Sequence, residues 1–206
     1  MECINKKINA TDRATHLIRQ HGGVIRTGKA IQAGIHPRTL YQMRDNGLLE
    51  QLSRGVYRLT GQKAVSDPDL IIVATRIPKA VICLISALSF HEMTTQIPHA
   101  ISIALAQGSD TPRLDYPPIS IHRFSKEALL AGIDVHHIDD VPVRIYSPEK
   151  TLADCFKFRN KIGMEVVLEA LKLYKLRKEF KTGEILKYAK ICRVENIMRP
   201  YLEMSV

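Results

Sequence analysis

The punctuation of residues 27–59 constrains this chain more than any other feature. Thr27 opens a short helix through Ala30, Ile31 and Ala33 that stops at Gly34. Almost at once His36 precedes Pro37, a residue suited to a first helical turn, and Ile35, Leu40 and Met43 give the next helix an inward face as far as Asn46-Gly47. Leu48-Leu49, Gln51-Leu52, the tip Ser53-Arg54-Gly55 and then Val56-Tyr57-Arg58-Leu59 read as a β-hairpin. Two helices joined at a glycine and followed by a hairpin form a winged helix-turn-helix, whose second helix has the dimensions to lie in a DNA major groove. An earlier helix with Thr11 as its cap points Ala14, Leu17 and Ile18 inward and ends at Gly22-Gly23, before the short apolar stretch Val24-Ile25.

The outward face of the second of these paired helices then carries Arg38, Thr39, Tyr41, Gln42 and Asp45. Arg and Gln make bidentate contacts to guanine and adenine edges, so Arg38 and Gln42 are the candidates for reading bases. Thr39 and Tyr41 are placed to position phosphates, Arg26, Lys29, Arg44 and Arg54 supply salt-dependent backbone attraction, and Arg54 at the wing tip is aimed at a minor groove. The competing reading is a protein-contact module whose polar residues are merely solvated.

Charge supports the DNA-binding reading for the N-terminus only. The 206 residues carry a net +9, which divides unevenly. Residues 1–62 hold ten Lys/Arg against four Asp/Glu, residues 63–145 seven against nine, and residues 146–206 thirteen against eight. A polyanion is therefore attracted to the two ends and not to the middle. The expected fold class is α+β: a winged helix-turn-helix over 1–62, then a second domain over 67–206 with a mixed α/β body (67–146) and a helical region (147–206). The boundaries are marked by Asp67-Pro68 and Ser147-Pro148, each a cap followed by proline.

Within the second domain a helix is expected over Asp67–Arg76, a strand over Ala80–Cys83 and a helix over Leu84–Met93. Period-two runs then predict four strands, around Ile101–Leu105, Ile119–Arg123, Val135–Ile138 and Val143–Ile145. The last two should pair antiparallel because Asp139-Asp140 is too short for a crossover. Pro142 suggests an edge or turn position. Four amphipathic stripes follow: Leu152, Cys155 and Phe156; Met164, Val167, Leu168 and Leu171; Ile185, Ala189 and Cys192; Val194, Ile197, Met198 and Tyr201. Lys172, Lys175, Arg177, Lys178, Lys181, Lys187 and Lys190 form a second basic surface, read either as a partner surface or as a solvated face.

Nothing in the sequence argues for catalysis. Cys3, Cys83, Cys155 and Cys192 have neither CxxC nor close CxH spacing, which predicts reduced cytosolic thiols and no metal. The histidines form no HExxH or HxH pattern, and no glycine motif for a nucleotide cradle occurs, so no cofactor is expected. Glu149, Lys150 and Asp154 form the densest charged motif, reminiscent of a nuclease site, but a helix N-terminus attracts acidic residues for dipole reasons alone. No catalytic residue is assigned. No signal-peptide or membrane-spanning pattern is present, which places the expected site of action in the cytoplasm.

The run RTGKAIQAGIHPRTLYQMRDNGLLEQLSRGVYRL from Arg26 resembles the N-terminal winged helix of the AbiEi family of antitoxins, which also act as transcriptional regulators. CLISALSFHEMT from Cys83 and YSPEKTLADCFKFRNKIGMEVVLEALKLY from Tyr146 are similar to stretches of that family's C-terminal region, so the resemblance extends from about Thr11 to Tyr174. It implies a DNA-binding antitoxin that represses its own promoter at an inverted repeat in double-stranded DNA. It also implies neutralisation, direct or indirect, of a nucleotidyltransferase-like toxin, without enzymatic activity or a membrane partner. The alternatives are a nucleic-acid-acting enzyme targeted by the winged helix, or a ligand-sensing transcription factor.

Overall fold

A computed structural model describes residues 9–61, 66–177 and 179–203; Cys3 and Lys178 lie outside them. The chain forms two compact units, residues 1–78 with 137–142, and 79–136 with 143–206. Helices and sheets are mixed in an α+β arrangement.

The first unit opens with α1 (Ala10–Gln20), capped by the Asn9 side chain and not by Thr11. Val24–Arg26 is a strand, β1, followed directly by α2 (Thr27–Gln32) and α3 (Pro37–Asp45). Gly34, at φ +88, takes the left-handed turn between the two helices, and Ile35 N–H reaches back to the Ala30 carbonyl at 2.9 Å. β2 (Leu49–Ser53) and β3 (Val56–Leu59) make the hairpin, and the sheet order β1-β3-β2 is antiparallel throughout. Ala14, Ile18, Ile25, Ala30, Ile35, Leu40, Met43, Tyr57 and Leu59 close one core beneath these elements. Ile31 is 48% exposed.

α4 (Pro68–Arg76) is capped by Asp67, whose carboxylate accepts from Leu70 N–H. It packs on all three strands of the first sheet. The first unit accordingly runs as far as Pro78 and also takes in residues 137–142.

A five-stranded sheet is ordered β6-β5-β4-β8-β7, with β4 Val81–Ile82, β5 Ile101–Ala106, β6 Ile119–Phe124, β7 Ile133–Ile138 and β8 Val141–Tyr146; it belongs to the second unit except for residues 137–142, the joined ends of β7 and β8, which belong to the first. β4 runs antiparallel to β5 and parallel to β8, and β5 runs parallel to β6. Asp139 and Asp140 both have positive φ, the geometry of a two-residue hairpin turn, so β7 and β8 are antiparallel neighbours as expected. β8, however, is internal despite Pro142. Its only register with the two-residue β4 is Ile82 with Ile145, so Pro142 lies beyond that ladder and forfeits no bond to it.

Helices α5 (Leu84–Phe90), α6 (Lys126–Leu130), α7 (Pro148–Lys157), α8 (Arg159–Ile162), α9 (Met164–Lys175), α10 (Thr182–Cys192) and α11 (Glu195–Glu203) complete the chain. α7 is central and packs against α5, α9, α10 and α11. Leu168, assigned by spacing to the inward stripe of α9, is 41% exposed, whereas Val166 beside it is buried. Gly132, at φ +65, lies so close to α7 that an added Cβ would fall 2.6 Å from Lys150 Cβ. Gly132→Ala is therefore expected to cost about 2 kcal/mol or more, through left-handed strain plus overpacking, read as a lowered urea midpoint.

Candidate nucleic-acid interface

α3 is built to present one polar face. Pro37 starts it, His36 Nδ1 accepts from Arg38 N–H at 3.1 Å, and Leu40 and Met43 anchor it in the core with at most 1% exposure. Arg38, Tyr41 and Gln42 are exposed and Thr39 is half-buried. Arg38 and Gln42 lie one turn apart, so both project from the same side of the helix.

The other predicted cations are placed less uniformly. Arg26 and Lys29 are exposed at the start of α2. Arg44 is drawn into the helix surface: its guanidinium donates to Asp45 Oδ1 at 2.7 and 2.9 Å and lies 5.4 Å from the Tyr41 ring centroid. Asp45 holds the Arg44 pKa above its ordinary value. A phosphate reaching Arg44 would have to displace that carboxylate, so Arg44 is the weakest of the predicted phosphate contacts.

Arg54 is exposed in a hairpin tip that is tied down. Thr27 donates its N–H and Oγ1 to the Gly55 carbonyl at 3.0 and 3.3 Å, and the Arg76 guanidinium donates to the Arg54 carbonyl. The tip is thereby joined to the start of α2, next to Arg26. Sequence reasoning missed Arg76, which acts on the tip from α4.

The charged block on α7 forms a different kind of centre. Lys150 and Asp154 are fully buried, with Nζ 2.6 Å from both carboxylate oxygens. The ammonium sits 4.1 Å from the Tyr146 ring centroid and 5.1 Å from that of Phe124. Cys192 Sγ donates to Asp154 Oδ1 at 3.2 Å, and the Tyr174 hydroxyl donates to Glu149 Oε1 at 2.5 Å. Burial raises the Asp154 pKa against the opposing effect of Lys150, and burial beside Asp154 pushes the Cys192 thiol up to about 12. Each charge thus finds its partner inside the core, and a macromolecular substrate has no path to either group in this conformation.

His91 and His136 come together, their ring centroids 5.9 Å apart. His91 Nε2 bonds the Tyr146 carbonyl at 2.7 Å, and burial lowers its pKa. Among the described residues no three His, Cys, Asp or Glu side chains are placed to hold a metal, and no helix is long and apolar enough to cross a membrane.

With this geometry in view, likenesses to known proteins bear on fold and then on family. The crystal structure of the RV2827C protein from Mycobacterium tuberculosis matches over 91% of this chain and 78% of its own, with a TM-score of 0.53 at 16% identity, so the two share a fold. No curated protein matches the chain. Residues 12–60 match the AbiEi_4 family, described as transcriptional regulator, AbiEi antitoxin. The resemblance carried by the run from Arg26 therefore stands as a family match over that segment, which contains every predicted DNA-facing residue.

Proposed function

We propose that the chain is a DNA-binding transcriptional regulator of the antitoxin type and not an enzyme. In this reading α1, α2, α3 and the β1-β3-β2 sheet are a winged helix-turn-helix, α3 enters the major groove of an inverted repeat in the chain's own promoter, and the short β2–β3 hairpin is the wing. Arg38 and Gln42 read base edges. Arg26, Lys29, Thr39, Tyr41, Arg54 and, less strongly, Arg44 meet the backbone or its grooves.

The observation that carries this reading is the division of α3: Leu40 and Met43 are buried, while Arg38, Tyr41 and Gln42 stand exposed in the segment that matches the family. The second unit neutralises a nucleotidyltransferase-like toxin in the cytoplasm, directly or through the toxin's target. The family match over residues 12–60 supports an antitoxin role for the chain, and the resemblance of the stretches from Cys83 and Tyr146 assigns that role to the second unit.

The antitoxin half is tested by expressing the full chain together with a nucleotidyltransferase encoded beside its gene. Relief of growth arrest is expected, and Arg38→Ala with Gln42→Ala should leave relief intact at matched protein levels. Growth arrest that persists with the full chain present would contradict neutralisation.

A further inference from the structure

The turn between β2 and β3 consists of Arg54 and Gly55, and both of their carbonyls are claimed from outside the hairpin. The Gly55 carbonyl accepts from Thr27 N–H and Oγ1 at the start of α2. The Arg54 carbonyl accepts from the guanidinium of Arg76, in the last turn of α4. All of these residues belong to the first unit.

A hairpin tip that meets only solvent opens at little cost, and a long side chain carried on it loses that freedom again when it binds. Here the peptide planes on both sides of Gly55 are fixed by the two bonds. Ser53 pairs with Val56 on the other side of Arg54, so the Arg54 backbone is held from both directions and only its side-chain torsions stay free. The fit around the turn is close. Gly55 has φ +74, and an added Cβ would lie 3.4 Å from Thr27 Oγ1 and 3.7 Å from a guanidinium nitrogen of Arg76.

Arg76 suits this task. It is half-buried, a charged donor makes a stronger hydrogen bond to a carbonyl than a neutral one does, and a cation is favoured at the C-terminal end of a helix. Arg54 itself is exposed, so its guanidinium is left available to a ligand while its carbonyl is not. Arg76 also lies outside residues 12–60, the segment that matches the family.

We propose that Arg76 is a positioning residue for DNA recognition: through the Arg54 carbonyl it orders the hairpin tip, and so the Arg54 side chain, before DNA arrives. The recognition role rests on the DNA-binding reading of the first unit; the restraint on the tip does not.

The test has two arms, both on the full-length protein. Trypsin cleaves the Arg54–Gly55 bond, whose carbonyl is the one that Arg76 holds. Under native conditions Arg76→Ala should be cut there about tenfold or more faster than the parent, with rates at other sites unchanged. An equal rate at this bond would overturn the proposal, as would an acceleration shared by every site, which marks general loss of stability. In the second arm the parent, Arg54→Ala, Arg76→Ala and the double variant bind the upstream duplex. Arg76→Ala should weaken binding about threefold to tenfold, and should cost nothing further once Arg54 is already alanine. Losses that multiply would show Arg76 acting on DNA by itself and would overturn the proposal; so would unaltered binding by Arg76→Ala. A parent with no preference for the upstream duplex would defeat the first-unit reading and the recognition role with it, and the digestion, which needs no DNA, tells that outcome apart from an unrestrained tip.

Discussion

Asp154→Ala is expected to destabilise the protein by about 3–5 kcal/mol, because it leaves the fully buried Lys150 ammonium without its counter-charge. The same change strips Cys192 Sγ of its acceptor. Replacing both partners together, Lys150→Met with Asp154→Leu, removes the desolvation cost along with the attraction and should recover most of the loss. Urea unfolding followed by circular dichroism measures all three proteins. An Asp154→Ala variant within about 1 kcal/mol of the parent would contradict a structural role for the pair. A double variant as unstable as the single one would show that the site needs charge for some other reason.

Arg38→Ala combined with Gln42→Ala acts on recognition and leaves the fold alone. Both side chains are exposed on α3, and neither supports the core formed by Leu40 and Met43. A good bidentate base contact contributes about 1–3 kcal/mol of discrimination, so losing two should reduce the preference for the upstream duplex over an unrelated one by about a hundredfold or more. Affinity for the unrelated duplex should change far less, because the cations at Lys29, Arg26 and Arg54 remain. Competition binding with the two duplexes reads this directly. A preference that survives in the double variant would remove α3 from base recognition.

The contrast between these two sites shows what the residues made legible. α3 is written in local signals: His36-Pro37 at its start, Leu40 and Met43 at helical spacing, Asn46-Gly47 at its end. The hairpin tip at Arg54-Gly55 is equally local. β1 is not, because three residues carry no period and acquire strand character only by pairing with Val56–Arg58. The parallel registers of β5 with β6 and of β4 with β8 depend on partners far apart in sequence, which no alternation pattern reveals.

Lys150 and Asp154, legible in the sequence only as part of a charged block at a helix start, are hard to place for a different reason. At i and i+4 they look like an exposed helix pair, the commonest reading of such spacing. Leu152, Ala153, Cys155 and Phe156 give α7 one apolar face, but Lys150, Asp154 and Lys157 share another, and only the packing of α5, α9, α10 and α11 around α7 buries Lys150 and Asp154 as well. The C-terminal lysines were a similar case. Counting charge along the chain located a net +5, but only the folded positions of the glutamates decide which lysines stay unpaired.

In the proposed reading the first unit recognises one specific duplex. The most direct measurement is binding of the full-length protein to the region upstream of its own gene, by footprinting and by affinity over a range of salt concentrations. Protection of an inverted repeat is expected, with a steep loss of affinity with salt and a preference over unrelated DNA that persists as salt rises. Equal affinity for the upstream and unrelated duplexes at every salt concentration, with no protected repeat, would contradict it.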